Sequence, residues 1–497
     1  MKNKTFLWIL VTVALLLQQG CVKDQGTDLN DLRDINEITI SGITAFFDVY
    51  QYDQLTIVPT LFSTLSKDET HYIYEWTAFR FEPPVGSPIE FFFANTRNLE
   101  DFKVDLPVDD YLVRYRVTDT MTGMFFDERF RLSVKTFLTE GFLIMNDVGG
   151  KMRLDMLSVF NNEFTFFPDI LGHINSELPE QDGPIKILRF RDLGFSPGDY
   201  ALYLLTQSGT NRIHDETFRW QSNYNVRNHF LPPTQCPPNF VAENMQRSFT
   251  NVVLHGQVNG QGTLFNRFPA TGIWWNVPVN TLDGINFFNA SSNFVNLDGA
   301  NGWLVFDKND KSFFQLRTEG ARCQRIIPDG MRLPWRNTGM DFIYGAKIPL
   351  TNFAYLILKN TAGNYFFLQV NNNFIQTDYK QMNAPDIEQA EFFAVDGNRH
   401  QNIYYAVGGK VYLWNISENT SYVALDLGDE KITFLDFVEQ AMDTGGSNLS
   451  TQIFVGSYNE TTKIGTLRSY YTQDRPNLFE KVEEWTGFGK IVSVIFK

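Results

Sequence analysis

Four tryptophans stand where a flat ring could be offered to a ligand. Trp274 and Trp275 are adjacent, so on a strand their rings point to opposite faces, one packing and the other presented elsewhere. Trp220 and Trp335, the latter directly after Pro334, sit in loop-like contexts. Exposed rings of this kind stack on sugars or peptide side chains; buried, they only fill space between strands. Catalytic chemistry is less well marked. No Gly-x-Ser-x-Gly elbow, P-loop or His-Glu-x-x-His is present, and nothing calls for a cofactor. The histidines (His71, His173, His214, His229, His255 and His400) have no helical or hairpin spacing suited to a metal. Carboxylates are plentiful. A glycosidase-like pair across a central channel stays open, but the sequence nominates no two residues for it.

The chain has 3 cysteines. Cys21 follows a charged start, Lys2 and Lys4, and an apolar run from Phe6 to Leu17. That run is shorter than the ~20 residues that span a bilayer, and it fits the core of a secretory signal. Gln18-Gln19-Gly20-Cys21, with a small residue before the cysteine, resembles a bacterial lipoprotein signal, cleaved before Cys21 and lipidated on its thiol. Gln18 departs from the apolar residue usual at that place. Residues 1–20 are thus expected to be a signal peptide and 21–34 a polar tether. Lys23-Asp24 resembles the Lys-plus-acidic signal that sends Bacteroidetes lipoproteins to the cell surface, with the periplasmic face as the alternative. In an exported compartment Cys236 and Cys323 either form a disulfide or stay buried and free.

What must position these residues is read from the strand pattern. The net charge is −15 at a sequence pI near 4.9, which excludes the basic face that a nucleic-acid partner needs. Aromatics reach 15% with 46 Phe, ample material for packed cores. Over residues 35–137, short strands alternate with turns. In Tyr111-Leu-Val-Arg-Tyr-Arg-Val117, Tyr111, Val113, Tyr115 and Val117 share one face while Arg114 and Arg116 share the other. The spacing predicts a β-sandwich with Trp76 in its core, and Asp119 forming a turn.

From 138 to 497 short apolar strands recur at intervals of roughly 50 residues. They are Phe142–Met145, Leu202–Leu205, Val252–Leu254, Trp303–Phe306, Tyr355–Leu358, Tyr404–Val407 and Ile453–Val455. Turns such as Gly149-Gly150, Lys308-Asn-Asp310 and Gly408-Gly409 lead to second strands. The period predicts a β-propeller of seven blades, closed by Ile491–Phe496 pairing with the first blade; six or eight blades, or a stack of sandwich domains, are the alternatives. The Pro-rich stretch Leu231–Pro238 reads as a long face loop or a rigid spacer. The fold class is therefore all-β, a sandwich followed by a propeller.

Tyr74-Glu-Trp76 followed by Tyr111…Val117-Thr-Asp119…Thr122-Gly123 resembles the polycystic-kidney-disease (PKD) type of immunoglobulin-like domain. The Asp-Gly turn that follows the Trp strand in that family is replaced by Phe79-Arg-Phe-Glu-Pro-Pro84. With the lipoprotein signal, the aromatic-rich repeats and Gly141-Phe-Leu-Ile-Met145, the whole chain resembles the PKD-like lipoproteins of Bacteroidetes. The resemblance implies a lipid-anchored outer-membrane accessory protein of a starch-utilisation-type uptake system. Its implied partners are the transporter and its companion lipoprotein, and its ligand a glycan or peptide polymer. No catalytic residue carries over. A propeller hydrolase or lyase and a purely structural transporter subunit are the competing classes.

Overall fold

The computed structural model describes residues 35–497 apart from 66–67, 82–87, 139, 161–162, 192–199, 231–235, 238–239, 249–250, 268–274, 276, 298–301, 328–330, 349–350, 397–401, 439–451 and 473–478. Cys21, the signal segment and the tether lie outside the described residues, as does most of the Pro-rich stretch. The chain forms two compact units, 1–136 and 137–497. No helix of the described residues is long and apolar enough to cross a membrane.

The first unit has nine strands: β1 (Ile38–Ser41), β2 (Phe46–Tyr50), β3 (Gln54–Ile57), β4 (Thr60–Ser63), β5 (Tyr72–Arg80), β6 (Glu90–Ala94), β7 (Leu99–Lys103), β8 (Asp109–Asp119) and β9 (Phe125–Lys135). A five-stranded sheet, in the order β2-β9-β8-β5-β6, is faced by the pairs β1-β4 and β3-β7. Alternation decides which side of β8 is buried. Tyr111, Val113, Tyr115 and Val117 are fully buried, while Arg114 and Arg116 turn outward to Glu75 (2.7 Å) and Asp127 (2.7 Å). Trp76 is the core ring, 4.2 Å from Tyr115, with its indole N–H donating to the Thr96 carbonyl at 2.8 Å. Asp119 shapes a turn by accepting from the Met121 amide at 2.9 Å. The strands the sequence left unread, β2, β4, β6 and β7, are short and lie at sheet edges or in the small pairs.

The described residues of the second unit hold seven sheets of three or four strands. Sheet I is Gly141–Val148, Lys151–Phe160 and Glu163–Phe167, joined by Lys490–Phe496. Sheet II is Pro184–Arg191, Tyr200–Thr206 and Gly209–His214; sheet III is Val241–Arg247, Val252–Val258 and Gln261–Arg267. Sheet IV is Val295–Asn296, Trp303–Asp307 and Ser312–Leu316. Sheet V runs from Met340–Lys347 through Phe353–Asn360 and Tyr365–Asn371 to Gln376–Gln381. Sheet VI runs from Phe392–Val395 through Asn402–Val407 and Lys410–Asn415 to Thr420–Asp426. Sheet VII runs from Lys431–Asp436 through Gln452–Asn459 and Ile464–Tyr471 to Glu480–Phe488.

Every strand that carries the sequence period is the second strand of its sheet, counted from the ring axis. Each is buried on both faces, because each sheet is covered by a neighbour on either side. Tyr404 packs toward sheet VII while Tyr405 and Trp414 pack toward sheet V. Such shared cores link II to III, IV to V, V to VI, VI to VII, and VII back to I. The Gly408-Gly409 turn needs its glycines for two reasons: Gly408 has φ +58°, and a Cβ on Gly409 would fall 2.5 Å from the Gly428 carbonyl oxygen.

The ring closes through the C-terminal strand. Phe142 pairs with Phe496 and Leu143 with Ile495, as the last strand lies antiparallel to the first. Gly141 starts this strand at φ +148°, where a Cβ would stand 2.1 Å from the Leu157 carbonyl oxygen. Lys497 then locks the end. Its backbone exchanges hydrogen bonds with Gly141, and its buried ammonium donates to the Leu138 carbonyl and to the Asp215 carbonyl (2.5 Å). Burial pulls this amine down to about 8.

Deleting 490–497 should expose the inner edge of sheet I and uncover Ile491, Val494 and Phe496. The expected loss is on the order of 5 kcal/mol or more, seen as loss of the second unit's cooperative melting transition. Lys497 also gives a pH signature. Because its folded value lies below the ordinary 10.5, its burial cost is fully felt below pH 8 and is relieved as pH rises toward 10.5. Relative to Lys497→Met, denaturant unfolding should therefore show wild type gaining on the order of 2–3 kcal/mol across that window.

Candidate functional site: the inner rim of the ring

The innermost strands are built differently from those behind them. A β-bulge interrupts the inner strands of sheets II, III, V and VII, between Pro184 and Lys186, Ala242 and Asn244, Phe342 and Tyr344, and Ile432 and Phe434. The closing strand of sheet I carries one too, where Ser493 faces Met145 and Ile491 faces Asn146. An extra residue in one strand tightens the local twist and re-aims the next side chain. In sheet III it sends Glu243 to His255 Nδ1 (3.3 Å), away from Asn244.

The residues following these bulges stitch the rim together. The Ile187 amide donates to Ser493 Oγ at 3.3 Å, joining sheets I and II. Lys186 Nζ donates to Asn244 Oδ1 at 3.4 Å, joining II and III. Asn244 Nδ2 donates to the Ser292 carbonyl at 2.8 Å, and Asn293 Nδ2 to the Ile343 carbonyl at 2.7 Å, carrying the chain of bonds to sheets IV and V. The Tyr344 ring stacks on Phe393 of sheet VI at 5.5 Å. Lys431 of sheet VII reaches Glu391, beside the inner strand of sheet VI, at 3.0 Å.

Lys186 and Tyr344 are half-buried. Desolvation pulls the Lys186 amine below its ordinary value, offset in part by the negative charge of Asp436. Desolvation pushes the Tyr344 hydroxyl up, and Asp436 adds to that rise. Both shifts share Asp436 as a lesser cause, an acid that the sequence did not single out. Lys186 and Asn244 were equally invisible there, because a bulge breaks the two-residue period that marks a strand.

Residues 21–180 match the PKD-like family, which bears out the resemblance over that stretch. No curated protein matches the chain. Among solved structures, the chain is similar to a quinonprotein alcohol dehydrogenase-like protein from Bacteroides thetaiotaomicron at 12% identity and TM-score 0.48, over 94% of this chain and 100% of that one. It is similar to a putative 6-phosphogluconolactonase from Bacteroides fragilis at 10% identity and TM-score 0.42, over 72% and 98%. A DUF4784 family protein from Bacteroides caccae matches at 9% identity and TM-score 0.32, over 92% and 98%.

The residues nominated from sequence fall elsewhere. Trp275 and Trp335 are 0% and 1% exposed, so neither has a free face on which a ligand could stack. Trp275 lies in the core shared by sheets II and III, under the Arg267 guanidinium at 5.4 Å; Trp335 lies in the core of sheets IV and V. Both are corrected to packing residues: each ring fills the gap between two sheets. Trp274 lies outside the described residues. Trp220 is half-buried, its indole N–H donating to Asn211 Oδ1 at 3.1 Å, and that oxygen also accepts from Asn225. It is set apart from the other two. Of the two alternatives for the cysteines, the structure has the free and buried one. Cys236 and Cys323 are free and buried, in separate cores, one between sheets II and III and the other beside sheets III and IV. Burial pushes the Cys236 thiol up to about 11 and the Cys323 thiol higher still. Both thiols should resist alkylation in the native protein and react fully once denatured without reductant. Mass spectrometry that found them linked would overturn this placement.

Proposed function

Taking the PKD-like match over residues 21–180 as the premise, we propose that the protein is a lipid-anchored outer-membrane accessory protein that captures a polymer, a glycan or a peptide, for a starch-utilisation-type uptake system. The match begins at Cys21, the cysteine expected to carry the lipid. Lys23-Asp24 supports display at the cell surface. In this reading the sandwich is a spacer, and a seven-bladed ring presents the ligand site at its axis. The transporter and its companion lipoprotein are the partners that the family resemblance supplies.

The observation that carries the binding reading is the polar inner rim. A ring held together by apolar cores needs no amine or phenol on its innermost strands, yet Lys186 and Tyr344 follow the bulges there, and the Lys186 amine reaches only Asn244 among the described residues. Groups of this kind, held on strands rather than loops, suit recognition of hydrogen-bonding ligands.

Soluble polysaccharides and denatured protein polymers should retard the protein in affinity gels, and the Lys186→Met/Tyr344→Phe double variant should weaken that retardation tenfold or more. Retardation by no polymer sinks the reading. Release of shortened products that stops in Asp436→Asn would instead establish the hydrolase or lyase class.

A further inference from the structure

Sheet IV has three strands, and an arginine-rich segment stands where a fourth would lie. From Arg317 to Arg336 the sequence holds five arginines against two acids, Glu319 and Asp329, in a protein of net charge −15. The backbone fixes these arginines along one edge. Gln315, on the outer strand of sheet IV, exchanges hydrogen bonds with Gln324 (2.7 and 2.9 Å), and the Phe313 amide donates to the Trp335 carbonyl at 2.7 Å. Gln324 and Trp335 therefore lie side by side on the same strand edge, roughly 7 Å apart along it. The turn carrying Arg317 and Arg322 closes through the Gly320 amide onto the Arg317 carbonyl at 2.8 Å. Asn266 of sheet III holds that turn by donating to the Thr318 (3.3 Å) and Gly320 (3.1 Å) carbonyls. Gln376 of sheet V accepts from the Arg332 and Leu333 amides, both at 2.9 Å.

Each arginine adjoins a buried anchor. Leu316, Cys323, Ile326, Leu333 and Trp335 are buried in the cores on either side of sheet IV, while Arg317, Arg322, Arg325, Arg332 and Arg336 are exposed. None of the five guanidinium groups forms an ion pair or a hydrogen bond among the described residues. By contrast, Arg114, Arg116, Arg189 and Arg468 each hold a carboxylate at 2.7 or 2.8 Å. Beside the arginines, Ile327 and Met331 are 86% and 93% exposed, the two most exposed large apolar side chains among the described residues. The fold thus spends buried anchors on holding cations and two apolar side chains outward, with no internal partner for any of them.

Unpaired guanidinium forks fit phosphate and carboxylate oxygens. Apolar side chains left almost wholly in water call for a medium that closes around them without a shaped pocket. A bilayer surface supplies both, phosphates at headgroup level and hydrocarbon beneath. An acidic polysaccharide offers the anions but nothing for Ile327 and Met331. The acidity of the rest of the chain does not forbid the contact, since exposed charges more than about 8 Å away are screened at physiological salt. A chain tethered through Cys21 would also meet that surface at high effective concentration.

We propose that the outer edge of sheet IV is a docking surface for an anionic lipid headgroup layer, with the five arginines on lipid phosphates and Ile327 and Met331 entering the acyl boundary. The proposal rests on the lipid-anchored reading above for the presence of a membrane, and is independent of the polymer site.

The test uses the chain from residue 21 with Cys21→Ser, which keeps every described residue and carries no lipid. Ile327→Cys then takes an environment-sensitive dye at that position alone, because Cys236 and Cys323 are buried. The dye should shift to the blue with vesicles of one part phosphatidylglycerol to two parts phosphatidylcholine, and stay unchanged with phosphatidylcholine alone. In the unlabelled chain, Arg322→Gln/Arg325→Gln/Arg332→Gln/Arg336→Gln should weaken co-sedimentation with the acidic vesicles by roughly a hundredfold or more, at about fivefold per arginine. Its melting temperature should match wild type, since these side chains bond to nothing inside the protein. Equal binding to neutral vesicles, or acidic-vesicle binding that the fourfold variant retains, would overturn the docking surface. Displacement from vesicles by inorganic phosphate at matched ionic strength would overturn the lipid in favour of a free anion. Absence of vesicle binding, with retention on immobilised polyglutamate that the variant loses, would overturn it in favour of an acidic protein. Attachment of lipid at Cys21 is read separately, by palmitate labelling of the wild-type chain in cells, so failure of the anchor and failure of the docking surface are told apart.

Discussion

The structure depends on circular closure. A sheet in the ring has no stable existence alone, because its second strand is apolar on both faces and needs a neighbour on each side. An open row of sheets would leave two such faces in water. Pairing of Lys490–Phe496 with Gly141–Val148 removes that problem by joining the two ends of the row within one sheet. The hydrogen bonds of Lys497 to Leu138 and Asp215 extend the join to the carbonyls of both flanking segments. A lysine is an expensive residue to bury. Its place here is explained by the acceptors waiting at the end of the closing strand.

Closure also divides the labour among strands. The second strands are enclosed on both sides and can only pack, so Phe142, Tyr203, Trp303, Tyr404 and Phe454 are all buried. The innermost strands have the axis on one side, with no second layer to fill. Bulges recur on these strands in sheets I, II, III, V and VII, and behind each bulge the chain is free to turn a polar group inward. Lys186, Asn244 and Tyr344 follow directly. The same polar groups bond from sheet to sheet, so the surface that a ligand would meet is part of the fastening of the ring.

The PKD-like unit shows a simpler economy. Trp76 occupies the centre of the sandwich, in contact with Tyr115 and Phe130, and hydrogen-bonds through its only polar atom. The outward faces of β5, β8 and β9 pair Glu75 with Arg114 and Asp127 with Arg116, so charge is matched across neighbouring strands.

Local pattern was enough to reveal the all-β class, the core face of β8, the turn at Asp119, and the second strands with their spacing of about 50 residues. All of these follow from side-chain alternation or turn chemistry within a few positions. The sequence also marked the closing strand, since an apolar run at the very end of a repeat has few other uses. It could not find the other inner strands: bulges break the alternation in sheets II, III, V and VII, and those of sheets IV and VI are only 2 and 4 residues long. It could not say whether Trp275 and Trp335 were presented or packed, since that depends on which sheet lies across from them. Nor could it decide between a disulfide and two free thiols: Cys236 and Cys323 are placed by different pairs of sheets. Lys186 and Tyr344 lie about 160 positions apart, and only the ring puts their strands on one inner rim.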